Sequence, residues 1–163
     1  MTQIAFIGLG IMGSPMAVHL QQAGFNVVGY NRSDSKYGPL REAGGSVADS
    51  IADAVADADI IATMVPDSPD VEAVLLGEDG VFNHAKPGSL VLDFSTIRPD
   101  VAAELADTAR THGLRQLDAP VSGGEAGAKN AALSIMVGGE ASDFEAAQPI
   151  FDAVGKTIVH LGP

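Results

Sequence analysis

The sequence predicts a doubly wound α/β fold, a mainly parallel sheet between helices, with an appended C-terminal α/β unit. Three observations carry this expectation. Short apolar segments alternate with segments of helical period from the N-terminus to about residue 118. Residues 59–65 form a continuous apolar run around Ile60, Ile61 and Ala62, the pattern of a parallel strand covered on both faces. Near residue 133 the pattern changes to strict alternation, which suits an antiparallel addition to the sheet. The 163 residues suffice for one domain with a sizeable core, and they contain no linker-like, low-complexity or repeated segment.

Residues 2–7 read as a buried strand leading into Gly8-Leu9-Gly10-Ile11-Met12-Gly13. A G-x-G-x-x-G turn between strand and helix is where a dinucleotide pyrophosphate binds, and it makes the expected fold Rossmann-type. Gly8 permits the tight turn, Gly10 leaves the phosphates a bare approach, and Gly13 lets the helix pack closely on the strand. The helix N-terminus offers N–H groups and a positive dipole end. Met12, Met16, Leu20 and Ala23 give that helix one apolar face, Pro15 falls in its first turn, and Gly24 sits at its C-terminal end.

Residues 26–30 are the second strand. Its exit carries Asn31, Arg32 and Ser33 where an NAD-selective fold places a carboxylate against the ribose 2′-hydroxyl. Without that carboxylate a 2′-phosphate is not repelled, and Arg32 can grip it with paired hydrogen bonds. This favours NADP over NAD. The alternative is an ordinary turn with Arg32 in solvent; Asp34 is either a helix N-cap or a second ribose contact. A helix over 36–43, a brief strand at Ser46-Val47 and a helix over 49–57 follow. After the 59–65 strand, residues 66–70 form a loop, and Val71, Val74 and Leu75 begin a helix. Residues 89–94 are a strand ending at Ser95-Thr96, Pro99 opens a helix, and residues 114–118 are the next strand. The loops after Ile7, Tyr30, Val65, Phe94 and Asp118 are expected to face one crevice at the carboxyl ends of the strands. Beyond residue 133, a helix with Phe144, Ala147, Ile150 and Phe151 ends at Gly155, and residues 158–161 form a final strand.

Acidic residues outnumber basic ones 21 to 9, for a formal charge of -12, which argues against nucleic acid and anionic membranes as partners. Cysteine is absent, so disulfides, thiolate nucleophiles and cysteine-bound metals are excluded. No basic region precedes the first apolar stretch and no apolar run reaches membrane-spanning length, so a cytoplasmic protein is expected. His19, His84, His112 and His160 lack metal-ligand spacing and read as surface or loop residues.

Residues 118–128 form a second rich segment, at the carboxyl end of a strand. Ser122, Gly123 and Gly124 offer a hydroxyl and bare N–H groups to a small carboxylate; the alternative is a flexible loop. Taken with residues 6–16, 65–71, 93–97 and 133–139, this segment makes the chain resemble the β-hydroxyacid dehydrogenase family. That family includes 3-hydroxyisobutyrate dehydrogenase and tartronate semialdehyde reductase (2-hydroxy-3-oxopropionate reductase), with 6-phosphogluconate dehydrogenase as a relative. Residues 133–139 look most like the tartronate semialdehyde branch.

The resemblance implies roles. Gly8 to Gly13 hold the pyrophosphate; Val65, Pro66 and Asp70 flank the adenosine and its ribose. Thr96 approaches the nicotinamide, and Ser122, Gly123 and Gly124 bind the substrate. The implied reaction is hydride transfer from NAD(P)H to the aldehyde of a three-carbon hydroxy/oxo acid, giving glycerate, with a lysine as proton donor. That lysine opens a long helix beyond Pro163, in a helical domain through which such proteins form homo-oligomers; both are absent here. Lys129 is not at the family's position and reads as part of an exposed turn. These residues are therefore expected to bind dinucleotide and turn over little, with an exposed apolar docking face. The competing class is a non-catalytic dinucleotide-binding module.

Overall fold

The computed structural model describes residues 2–162, with the Asp34 side chain outside that description. The first strand, β1 (Gln3–Ile7), is buried from Ile4 onward and sits mid-sheet. Around it lie α1 (Gly13–Gln22), β2 (Asn26–Tyr30), α2 (Gly38–Glu42), β3 (Ser46–Val47), α3 (Ile51–Val55), β4 (Ile60–Thr63) and α4 (Ser68–Leu76). Next come α5 (Val81–His84), β5 (Leu90–Asp93), α6 (Pro99–Thr111) and β6 (Arg115–Asp118). The strand order β3-β2-β1-β4-β5-β6 is parallel throughout. This is the doubly wound order in which the switch point falls between β1 and β4.

The expected antiparallel addition is present. β7 (Val121–Ser122) continues the line of β6 after Ala119 and Pro120, and α7 (Gly124–Lys129) follows it. β8 (Leu133–Gly138) runs antiparallel to both β6 and β7. α8 (Ala141–Val154) then returns the chain to β9 (Gly155–Gly162), which pairs parallel to β8 on its free edge. Gly155 caps α8 as expected, but it also begins β9, so the last strand is longer than residues 158–161.

Two apolar cores lie on the two faces of the sheet. One joins Phe6, Leu20, Leu92 and Phe94 to Phe151 of α8; the other joins Ile7, Ile61 and Val91 to Val71, Val101 and Leu105. A fully buried Leu, Ile or Phe is worth about 2–3 kcal/mol relative to exposure. The exposed ion pairs, such as Arg98–Asp100 and Arg110–Asp107, are screened by water and contribute little. The cores therefore hold the sheet.

Several local expectations need correction. The helix over 36–43 is a 3₁₀ turn at Asp34–Lys36 followed by α2, because Pro39 starts a new helix at its first turn. The helix over 49–57 is the shorter α3, capped by Ser50 Oγ accepting from Asp53 N at 3.1 Å. α5 and α7 are one- and two-turn helices without the apolar period that marks longer ones. Lys129 ends α7, with Asn130 as its C-cap, instead of lying in a turn. His19 lies on α1 and His160 on β9, both half-buried, so neither is a loop residue. The His160 ring stacks on Phe144 at 4.7 Å and its Nε2 is 2.7 Å from the Gly139 carbonyl. No helix among the described residues is long and apolar enough to cross a membrane.

Candidate functional site

A cleft of about 700 Å³ opens at the carboxyl ends of the central strands. Its floor is the glycine loop. Gly8 has φ +101°, donates its N–H to the Tyr30 carbonyl, and would drive a Cβ into the Met64 carbonyl. Gly13 is equally constrained, but by a different neighbour than expected: a Cβ there would collide with the Gly8 carbonyl before reaching the Phe6 ring of β1. The loop, more than the strand, dictates this glycine. Gly10 is the reverse case, since a Cβ would meet nothing within 4 Å and would project into open space.

The start of α1 carries no side-chain cap and no acidic residue in its first turn. Among the described residues, none accepts from the Gly10, Ile11 or Met12 N–H. Uncapped N–H groups, a positive helix end and an unobstructed glycine fit a dinucleotide pyrophosphate. Gly10, Ile11 (67% exposed) and Met12 line the cleft. Leu9 does not: its side chain is fully buried in the core and would clash with any Cβ at Gly29. It touches the site only through its N–H, which donates to Asn31 Oδ1 at 3.0 Å.

That bond redefines Asn31. Its Nδ2 donates to the Ser33 carbonyl at 3.1 Å, so both ends of the amide brace the loop while Asn31 still lines the cleft. Tyr37 Oη locks the same residue by accepting from Asn31 N at 3.1 Å and donating to its carbonyl at 3.0 Å. Arg32 and Ser33 remain exposed at the rim of the cleft. The ribose role considered for Asp34 falls on a side chain outside the described residues.

The opposite wall comes from β4 and β5. Asp67 caps α4, accepting from Ser68 N at 2.7 Å, and Asp70 lies in the first turn beside Val65 and Pro66. Ser95 Oγ accepts from Val65 N at 2.9 Å, which fixes that wall, and Thr96 is exposed into the cleft. Tyr30, Ile51, Ala73 and Val74 add an apolar surface suited to a flat base. Sequence reasoning missed these four. Val74 was visible only as part of a helix face, and nothing local to Ile51 shows that α3 reaches the cleft.

The fifth expected loop does not line this cleft. Ser122, Gly123 and Gly124 are exposed outside it, with Gly123 at φ +133° capping α7. Lys129 lies with His19, Lys36 and Glu125 along a separate concavity beyond the glycine loop, its Nζ paired to Glu125 at 3.1 Å. It does not line the cleft that contains Thr96.

A family model described as the NAD binding domain of 6-phosphogluconate dehydrogenase matches residues 3–162. The chain belongs to this family. It is an NAD(P)-binding domain of the β-hydroxyacid dehydrogenase group. The chain is 48% identical over 163 residues to an NAD-dependent L-serine dehydrogenase from Pseudomonas aeruginosa, covering 100% of this chain and 55% of that protein. It is 41% identical over 162 residues to 3-hydroxyisobutyrate dehydrogenase from the same organism, covering 99% and 54%. The structure of Mycobacterium tuberculosis 3-hydroxyisobutyrate dehydrogenase with L-serine matches with a TM-score of 0.93 at 40% identity, covering 99% of this chain and 55% of that one. This member of the family therefore spans about half the length of the curated relatives it matches.

Proposed function

We propose that the chain serves an NAD(P)-dependent oxidoreductase acting on a small β-hydroxy acid, and that its glycine loop and uncapped α1 hold the cofactor pyrophosphate. The bare approach at Gly10 beside the two sterically locked glycines carries this reading. When bound, the nicotinamide exchanges a hydride with the carbinol carbon of the substrate. The chain's own residues bind and orient: the α1 N–H groups take the phosphates, Val65 and Val74 face the adenosine, and Thr96 stands at the nicotinamide end. The Ser122-Gly123-Gly124 backbone and hydroxyl receive the substrate carboxylate. Oxidation also needs a group to take the hydroxyl proton, and the family resemblance assigns it to a lysine that is not among these residues.

The relatives' names support a common substrate skeleton. L-serine, 3-hydroxyisobutyrate and glycerate (the reduced form of tartronate semialdehyde) are all HOCH2–CHX–COO⁻, with X an amine, a methyl or a hydroxyl. The names favour the first two, and the segment 133–139 is the ground for the third. For the cofactor we favour NADP, on the exposed Arg32 and Ser33 at the end of β2; the NAD-dependent L-serine dehydrogenase pulls the other way.

The test is parallel fluorescence titration of the chain with NADPH and NADH, followed by assay of the intact gene product on the three hydroxy acids with both oxidised cofactors. Binding of neither dinucleotide sinks the reading. Binding with no turnover on any of the three acids favours the module reading.

A further inference from the structure

We propose that Asp93 and Asp118 form one proton-sharing pair, with Asp118 holding the proton and donating it to Asp93, and that this pair fastens the loop after β5 to the loop after β6. The two residues are register partners at the carboxyl ends of adjacent parallel strands. Neighbouring strands lie about 4.8 Å apart, so register partners on one face stand side by side. Asp93 is fully buried. Its Oδ1 accepts from Thr63 Oγ1 at 2.9 Å and from Ser95 N at 3.0 Å. Its Oδ2 is buried without a partner among the described residues, and so is Asp118 Oδ1.

A single proton between the two carboxyls resolves both orphans, because buried acceptors without donors are rare in folded proteins. The proton belongs on Asp118. Asp93 already collects two donors that stabilise its charge, whereas Asp118 is offered none among the described residues. Burial, and then the neighbouring Asp93, push the Asp118 carboxyl up to about 6; burial also raises Asp93, against the pull of Ser95 and Thr63. Such a pair titrates as a unit.

Among the described residues no cation faces the pair. Its neighbours in register are Thr63 on β4 and Gly138 on β8. Gln116, two residues earlier on β6, contributes another unpartnered oxygen. α6 buries Val101, Leu105 and Ala109 and leaves Arg98, Asp100 and Glu104 in solvent. Arg115, at the far end of β6, is paired with Asp143 of α8.

The consequence is positional. Ser95 donates its N–H to Asp93 and accepts the Val65 N–H, and both Val65 and Thr96 line the dinucleotide cleft. Asp118 heads the segment that leads to Ser122, Gly123 and Gly124, which the cleft does not include. Below pH about 6 the shared proton joins the cofactor wall to the substrate motif, and both carboxyls are positioning residues. The names of the two loops rest on the oxidoreductase reading; the pair itself does not.

Asp118 has a folded-state pKa above its unfolded value, so its contribution to stability is full below pH about 4 and is lost as pH rises through about 6. The test is a titration of ¹³Cγ-labelled aspartate in the dinucleotide-free chain by NMR, with urea midpoints measured over the same pH range. One carboxyl of the pair is expected to titrate near 6, and the Ser95 and Val65 amide resonances are expected to move with it. Asp118→Asn keeps a donor toward Asp93 but cannot ionise, so it should abolish that step in both the amides and the urea midpoint. Asp118→Ala should lower the urea midpoint without restoring the contact. Two ordinary carboxyl midpoints near 4 in the wild-type chain overturn the pair, whatever the variants do, and so does an Asp118→Asn variant that keeps the step. A step near 6 that leaves both amides still overturns the fastening. No dinucleotide enters the titration, so failure of the cofactor reading leaves this result independent.

Discussion

The glycine loop after β1 and the glycines at the start of α7 use the same residue for different physical reasons. In the first, Gly8 and Gly13 are locked by neighbours: any Cβ would strike the Met64 or the Gly8 carbonyl. In the second, Gly124 has open space around it and Gly123 only ordinary contacts, but both have positive φ. One region is shaped by packing before any ligand arrives. The other is held by torsion alone on an exposed helix start. A pyrophosphate site gains from being preorganised, because ordering costs are then met by folding rather than by binding. An exposed helix start held by torsion stays open to whatever docks against it.

The largest expected effect breaks the packed region. Gly13→Ala should destabilise the chain by about 3 kcal/mol or more, since backbone must move to admit the methyl, and should abolish dinucleotide binding. Urea unfolding and nicotinamide fluorescence check both; a wild-type midpoint would show that the loop is not locked. Arg32→Ala tests the rim instead of the floor. It should weaken NADPH by about 2 kcal/mol, the value of a charge-assisted hydrogen bond, and leave NADH and the urea midpoint unchanged. Equal losses for the two cofactors would remove Arg32 from the 2′-phosphate.

Gly123→Ala tests the torsional region. Its φ of +133° should cost about 1–3 kcal/mol of stability while leaving dinucleotide affinity intact. A loss of dinucleotide affinity in a folded variant would join the two regions that the cleft separates. Gly10→Ala sharpens the contrast within a single motif. With open space around it, stability should change by less than about 1 kcal/mol, yet NAD(P)H affinity should fall because the methyl occupies the phosphate approach.

The smallest effect concerns Asp59, at the opposite end of the sheet. The Lys86 ammonium at 2.8 Å, helped by the Gln3 N–H, holds its carboxyl below the usual range. Its stabilisation is therefore present above the unfolded pKa and lost as pH falls through the folded one. The pair is nearly half exposed, so Asp59→Asn should cost only about 0.5 kcal/mol at neutral pH, measured as a shift in urea midpoint, and nothing once the pH falls below the folded pKa.

Legibility in the sequence followed locality. The glycine fingerprint, the continuous run of β4 and the Pro99 helix start each rest on neighbouring residues, and each formed where expected. The residues from Gly8 to Thr96 expected to hold the cofactor line one cleft, with Leu9 the exception because its side chain turns into the core. Asn31 offers no carboxylate at the exit of β2, and its amide bonds Leu9 and Ser33, partners set by how the loops meet. α5 and α7 escaped notice because one or two turns present too few residues to show a period. His84 and His112 are exposed as expected, whereas His19 and His160 are half-buried on a helix and a strand, a placement with no local signal different from a surface one.

By itself the sequence determined the βα order, the parallel core, the glycine loop and the antiparallel addition, since all four arise from periodicity and backbone torsion within a few residues of each other. Only the tertiary structure decided which loops share the cleft, that Gly13 answers to the Gly8 carbonyl, that Ile51 and Val74 reach the cleft, and that Asp93 lies beside Asp118. Those relations join strands far apart in the chain, and their partners are fixed by strand register and close packing, which no local pattern of residue types encodes.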